Sequence, residues 1–249
     1  MTTVLRHHEI AEADHRILNP LSDRKLRLLG DIARIGPHTR ILDLACGKGE
    51  MLCTWAAAHG ATGHGIDLSA TFLTAARDRA RHLGVTGQVT FEHGDATHHH
   101  TPGLFDVTAC LGATWIGDGL TGTIALLRRS TAPGGLLLVG EPYWIDEPPE
   151  AAPAALGFAP GDFATLAGTL DRFDDAGVEL VEMVLADTDD WDRYVASQWQ
   201  TVHTWLRDNP GDPDAPAMRE FADRSRRTYL TYNRRYLGWG VFALRLPPA

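Results

Sequence analysis

The chain has 249 residues, of which 44% are hydrophobic and 22% charged, a balance that excludes a disordered, collagen-like or membrane-filling polypeptide and suits one domain carrying an insertion. A formal charge of -9 argues against polymeric nucleic acid as a partner, because gripping a phosphate backbone needs a basic footprint. No apolar run reaches the roughly 18 residues of a membrane span, and Arg6, His7, His8 and Glu9 stand where a signal peptide would be apolar, so no membrane partner and a cytoplasmic location are expected.

Residues 1–37 read as a helical segment, clearest from Leu21 to Arg34. From about residue 40, apolar β-branched runs alternate with helix-period segments, the signature of a parallel sheet covered by helices on both faces. Strands are expected at Arg40–Leu44, Thr62–Asp67, Val89–His93, Phe105–Cys110, Leu136–Gly140, Val178–Ala186 and Val241–Leu246. Met51, Leu52, Trp55 and Ala56 mark the first crossover helix, while Phe72, Leu73, Ala76, Ala80 and Leu83 mark the second. Ser69 suits the N-cap of that second helix and Gly84 its end. Pro133-Gly134-Gly135 breaks the pattern before the fifth strand, and Asp146 to Pro160, with four prolines, reads as a mobile loop. Asp189–Arg207 and Ala217–Leu237 repeat at three and four residues, parted by Asn209-Pro210-Gly211-Asp212-Pro213. They are expected to form a helical cap over one edge of the sheet. The whole then reads as a single domain, its core at about 38–188 and 238–249 and its cap at about 189–237.

The cysteines Cys46, Cys53 and Cys110 form no CxxC pair, which suggests neither a disulfide framework nor a structural zinc site. The chemistry concentrates instead in Ile41-Leu42-Asp43-Leu44-Ala45-Cys46-Gly47-Lys48-Gly49-Glu50, a glycine-rich turn between a strand and a helix. In an open α/β sheet a nucleotide-like ligand lies there, approached by backbone that lacks Cβ and by free N–H groups of the helix start. A dinucleotide site would require a third glycine where Leu52 stands. Asp43 would also repel a pyrophosphate, yet it can accept from the ammonium of an amino-acid moiety. Asp67 ends the second strand 18 residues beyond Gly49, near the spacing at which an acid meets ribose hydroxyls.

An acid followed by Gly47-Lys48-Gly49, then Asp67, Asp95 and Pro133-Gly134-Gly135 in order, resembles the class I S-adenosylmethionine-dependent methyltransferases across about residues 38–145. With Asn19-Pro20 upstream, Gly47-Lys48-Gly49-Glu50 looks like a bacterial group that methylates small molecules. The resemblance implies a Rossmann-like, seven-stranded, mostly parallel sheet and S-adenosyl-L-methionine as cofactor. It also implies a cofactor site of Asp43, Ala45, Gly47, Gly49, Asp67, Leu68, Asp95, Ala96 and Cys110, with Asp95 accepting from the adenine amino group. Trp115, Tyr143, Trp199 and Tyr232 become candidates for the acceptor pocket, and His203 and Glu141 for a general base. The Glu141-Pro142 pair does not supply the acid–Asn magnesium site of catechol-type enzymes, and His98, His99 and His100 cannot all converge on one ion, so no metal is expected. The expected function is methyl transfer to a small molecule in bacterial specialised metabolism, by a monomer or homodimer. A non-catalytic S-adenosylmethionine-binding protein and an NAD-dependent oxidoreductase remain the alternatives.

Overall fold

Short apolar runs, buried on both sides, build the sheet of the computed structural model, which describes residues 2–99, 103–159 and 161–247. The strands are β1 (Arg40–Leu44), β2 (Thr62–Asp67), β3 (Val89–His93), β4 (Phe105–Leu111), β5 (Thr131–Trp144), β6 (Glu179–Leu185) and β7 (Leu237–Arg245). They lie in the order β3-β2-β1-β4-β5-β7-β6. The first five are parallel, and β7 runs antiparallel to both β5 and β6.

Side chains alternate across each strand, so consecutive residues enter opposite cores. Ile41, Leu136 and Leu138 join Leu26, Leu29, Leu52 and Trp55 on one face. Leu42, Leu137 and Val139 join Ile124, Leu127 and Phe173 on the other. The first layer is supplied by α2 (Asp23–Ile32), α3 (Glu50–His59) and α4 (Ala70–His82), the second by α5 (Leu120–Arg128) and α7 (Leu166–Asp175). Trp55 is wholly buried and donates from Nε1 to the Leu26 carbonyl at 3.0 Å, fastening α3 to α2. Ser69 caps α4, its hydroxyl accepting from Phe72 N at 3.0 Å, and Gly84 follows the helix at φ +71°.

The structure differs from the sequence reading at four places. Pro133-Gly134-Gly135 does not precede the fifth strand but forms a bulge inside it, where pairing jumps from Phe105–Thr131 to Val107–Leu136. The segment 146–160 holds a short helix, α6 (Ala151–Leu156), because its alanines favour helix and Pro153 falls in the first turn, where no hydrogen bond is lost. Pro160 itself lies outside the described residues. β7 begins at Leu237 rather than Val241, and its start was masked by Gly238 and Gly240, which carry no side chain to signal a strand. Gly238 is required there, since a Cβ would sit 2.3 Å from the Tyr143 ring.

The fourth difference concerns the cap. The helices α8 (Thr188–Asp208) and α9 (Ala215–Thr228) close on the N-terminal α1 (Thr2–Ala11) rather than on a sheet edge. Val202, Met218 and Ala222 share a separate apolar cluster with Ile10 and Ala11. Arg6 adds an ion pair with Asp212 at 2.7 Å and another with Asp214. Among the described residues no helix is long and apolar enough to cross a membrane.

Candidate active site

Strand order reverses between β1 and its neighbour β4, which opens a crevice at the carboxyl ends of the strands. The turn leaving β1 lines it. Ala45, Gly47 and Gly49 all adopt left-handed backbone, at φ +59°, +53° and +64°. For Ala45 this costs roughly 1–2 kcal/mol, a local strain typical of ligand-holding turns. Gly49 is fixed by space as well, for a Cβ there would lie 2.5 Å from the Phe91 ring. Gly47 N donates to Asp67 Oδ2 at 2.8 Å and Ser69 N to Asp67 Oδ1 at 2.8 Å, so one carboxylate sets the shape of the turn and the entry to α4.

The electrostatics are one-sided. Asp43 is 4% exposed, and burial, followed by the neighbouring charge of Asp67, pushes its carboxyl well above the usual range. Burial also raises Asp67, although the Ser69 and Gly47 amides pull it back. Two of the basic residues at this end are engaged elsewhere: Arg16 pairs with Asp23 at 2.6 Å and with Glu50, while Lys48 Nζ donates to the carbonyls of Glu12, Ala13 and His15 at 2.7, 2.7 and 2.6 Å; His8 also lines the crevice. A ligand bringing its own positive charge and hydroxyl donors therefore suits this end, and the ammonium, sulfonium and ribose of S-adenosylmethionine are such groups.

The crevice, about 340 Å³ in volume, brings together Asp43, Ala45, Gly47, Asp67, Leu68, Asp95, Ala96 and Trp115. Gly49 stands behind the turn. Asp95 accepts from Thr97 N at 2.9 Å, which with further bonds from Thr97 and His98 holds its carboxyl below the usual range. Trp115 is 63% exposed and belongs to the Asp95 end.

Several expected site residues lie elsewhere. Cys110 faces the second core, fully buried, and the next residues, Leu111 and Gly112, reach the crevice instead. Tyr143 is buried in that same core. Trp199 points into the cap, donating to Ser225 Oγ at 2.9 Å and packing on Tyr229, while Tyr232 sits in the π-turn after α9 and does not line the crevice. His203 is exposed on α8, away from the crevice. Glu141, 2% exposed, lies beneath the floor, where it accepts from Thr114 Oγ1 at 2.6 Å. Of the histidine run, His98 is 83% exposed beside Asp95, His99 turns toward β2, and His100 lies outside the described residues.

The crevice is also lined by residues that the sequence did not assign to a pocket: Leu18, which packs over Gly47, and Leu21, Pro142, Trp191, Tyr194 and Trp239. Trp191 was visible as part of an amphipathic stripe, and Asn19-Pro20 as part of a resemblance. Glu50 was likewise quoted without a role. It is buried at the start of α3, where it joins Arg16, Arg79 at 2.8 Å and Thr54 at 2.8 Å.

Lys48 fastens the end of α1 to the turn. Replacing it with methionine keeps the apolar stem and removes three hydrogen bonds, so amide hydrogen exchange across residues 2–20 should accelerate while the rest of the chain is unchanged. A local loss of about 1–2 kcal/mol is expected. Unaltered exchange in that segment would show that α1 is held by its apolar contacts alone.

An open sheet with one reversed strand, entered beside two buried acids and a left-handed glycine turn, defines an enzyme class that holds an adenosyl amino acid. The family model described as "Methyltransferase domain" matches residues 41–135. The Escherichia coli (strain K12) protein YjhP, described as uncharacterized, is 48% identical over 237 residues, covering 94% of this chain and 96% of its own. A SAM-dependent methyltransferase from Geobacter sulfurreducens, solved with S-adenosyl-L-homocysteine, superposes with a TM-score of 0.93 at 48% identity, covering 97% of this chain and 98% of its own. The ubiquinone/menaquinone biosynthesis C-methyltransferase UbiE of Ectopseudomonas mendocina is 34% identical over 118 residues, 45% of this chain and 44% of its own. The chain belongs to the class I S-adenosylmethionine-dependent methyltransferases.

Proposed function

We propose that this enzyme carries the methyl group of S-adenosylmethionine to a small, neutral and largely apolar acceptor held between the N-terminal segment and α8. The observation that carries this reading is the apolar share of the crevice lining, in which Leu21, Pro142, Trp191 and Trp239 accompany the acids that follow β1, β2 and β3. A crevice of about 340 Å³ suits a small ligand.

In this reading Asp67 accepts from the ribose hydroxyls, Asp43 faces the ammonium, the backbone of Ala45 and Gly47 frames the methionine part, and Asp95, Ala96 and Leu68 border the adenine. Methyl transfer from a sulfonium is an in-line displacement on an activated donor, so the chain's task is to align acceptor, methyl carbon and sulfur and to exclude water. The histidine and carboxylates that line the crevice are His8, Asp43, Glu50, Asp67 and Asp95. Tyr194 reaches it with a hydroxyl committed to Glu12 at 2.6 Å, and burial followed by the charge of Glu12 holds that phenol far above its usual range. In this reading the acceptor atom attacks through a lone pair that is already free.

Incubation of the purified chain with methyl-labelled donor and a panel of small aromatic and aliphatic metabolites should yield labelled product. Trp191→Ala should raise the KM of that acceptor about fivefold to tenfold, the scale of a lost aromatic contact, while affinity for S-adenosylhomocysteine stays the same. Label entering protein or RNA alone, or an unchanged KM, would overturn the assignment.

A further inference from the structure

We propose that His64, Glu92 and His99 form a binding site for one divalent transition-metal ion of the zinc type, separate from the methyl-transfer crevice. The parallel register of β2 and β3 sets His64 opposite Thr90 and Ile66 opposite Glu92, so His64 and Glu92 share one face of the sheet. Beyond β3, the described part of the connection to β4 contains a single 3-10 turn, Ala96–His98, rather than a crossover helix. His99 follows that turn and comes back over the same face, its ring centroid 5.6 Å from that of His64 with the planes tilted by 37°.

The donor set then has the makings of a first coordination sphere. One ligand atom from each residue can be chosen so that all three lie within 4.8 Å of one another. His64 Nε2 stands 3.3 Å from Glu92 Oε2. Ligands held at 2.0–2.1 Å around a tetrahedral ion are about 3.4 Å apart, so this pair already has the required separation and a rotation of His99 completes the set. The other nitrogen of His64, Nδ1, is 2.8 Å from Thr90 Oγ1, a contact that fixes the ring and leaves Nε2 directed at the carboxylate. Two imidazoles and one carboxylate favour zinc, nickel or copper over magnesium or calcium, and leave a fourth position for water. The bound ion would cross-link β2, β3 and the segment that follows Asp95.

The test uses the full chain without an affinity tag, treated with chelator and titrated with zinc chloride in a calorimeter. One ion should bind per chain and raise the melting temperature. Glu92→Gln should weaken binding by at least about tenfold, and the double change His64→Ala with His99→Ala should abolish it. His82→Ala, on the exposed end of α4, should bind as the unaltered chain does. Cobalt(II) added to the unaltered chain should give a visible absorption band that zinc abolishes, a readout that depends on no variant. Absence of both heat and band, or a double variant that binds zinc as the unaltered chain does, overturns the proposal.

Discussion

Asp67→Ala should weaken binding of S-adenosylhomocysteine by about 1.5–3 kcal/mol, roughly tenfold to more than a hundredfold, when titrated calorimetrically. The side chain has two tasks that alanine leaves undone. It receives the Gly47 and Ser69 amides, each at 2.8 Å, and so holds the turn in its left-handed form before any ligand arrives. It also presents a buried carboxylate to the crevice, and its raised pKa, caused first by burial, shows that the site is short of compensating donors. Ribose hydroxyls would supply them. Asp67→Asn separates the two tasks, since the amide oxygen can still accept from one backbone N–H while the charge is gone, and an intermediate loss is expected. Unchanged affinity in both variants would refute the ribose assignment.

Glu141→Gln should alter the pH dependence of stability. Burial pushes the Glu141 carboxyl up to about 7, with Thr114 and Arg172 drawing it partly back. The unfolded chain releases this proton near pH 4.5 and the folded chain near pH 7. Between those values the folded state binds more protons, so the contribution of Glu141 to stability is complete at low pH and falls as pH rises, by about 3 kcal/mol across the window. Glutamine keeps the contact with Thr114 and cannot ionise. The variant should therefore match the parent near pH 4.5 and exceed it increasingly toward pH 7 and above, in denaturant titrations at several pH values. Parallel stability profiles would show that Glu141 titrates near its ordinary value.

The strands that sequence located most closely, β1 to β3, are those whose apolar runs are short and bounded by turn residues. β5 and β7 were foreshortened because Pro133-Gly134-Gly135 and the glycines at 238 and 240 remove the side chains that carry the signal. An amphipathic period says that a helix face is buried but not against what, and so the partnership of α8 and α9 with α1 was not legible. Phase explains the misplaced site residues. Cys110 and Leu111 point to opposite faces of β4, so Leu111 lines the crevice and Cys110 enters the core. His203 follows Trp191 by twelve residues on α8, about 120° around the helix, which turns it away from the crevice. The donor end was legible because its residues are close in sequence to the strand ends. The apolar part of the lining was not, because Leu21, Pro142, Trp191 and Trp239 meet only after folding.

Threads from three distant stretches of sequence are knotted over the crevice. The segment after α1 clasps Lys48, Arg16 reaches Glu50, and Arg6 holds Asp212 and Asp214 between the two helices of the cap. The first twenty residues are thereby part of the wall itself, with Leu5, His8 and Leu18 in the lining, so a change there should be felt in ligand affinity and not in stability alone.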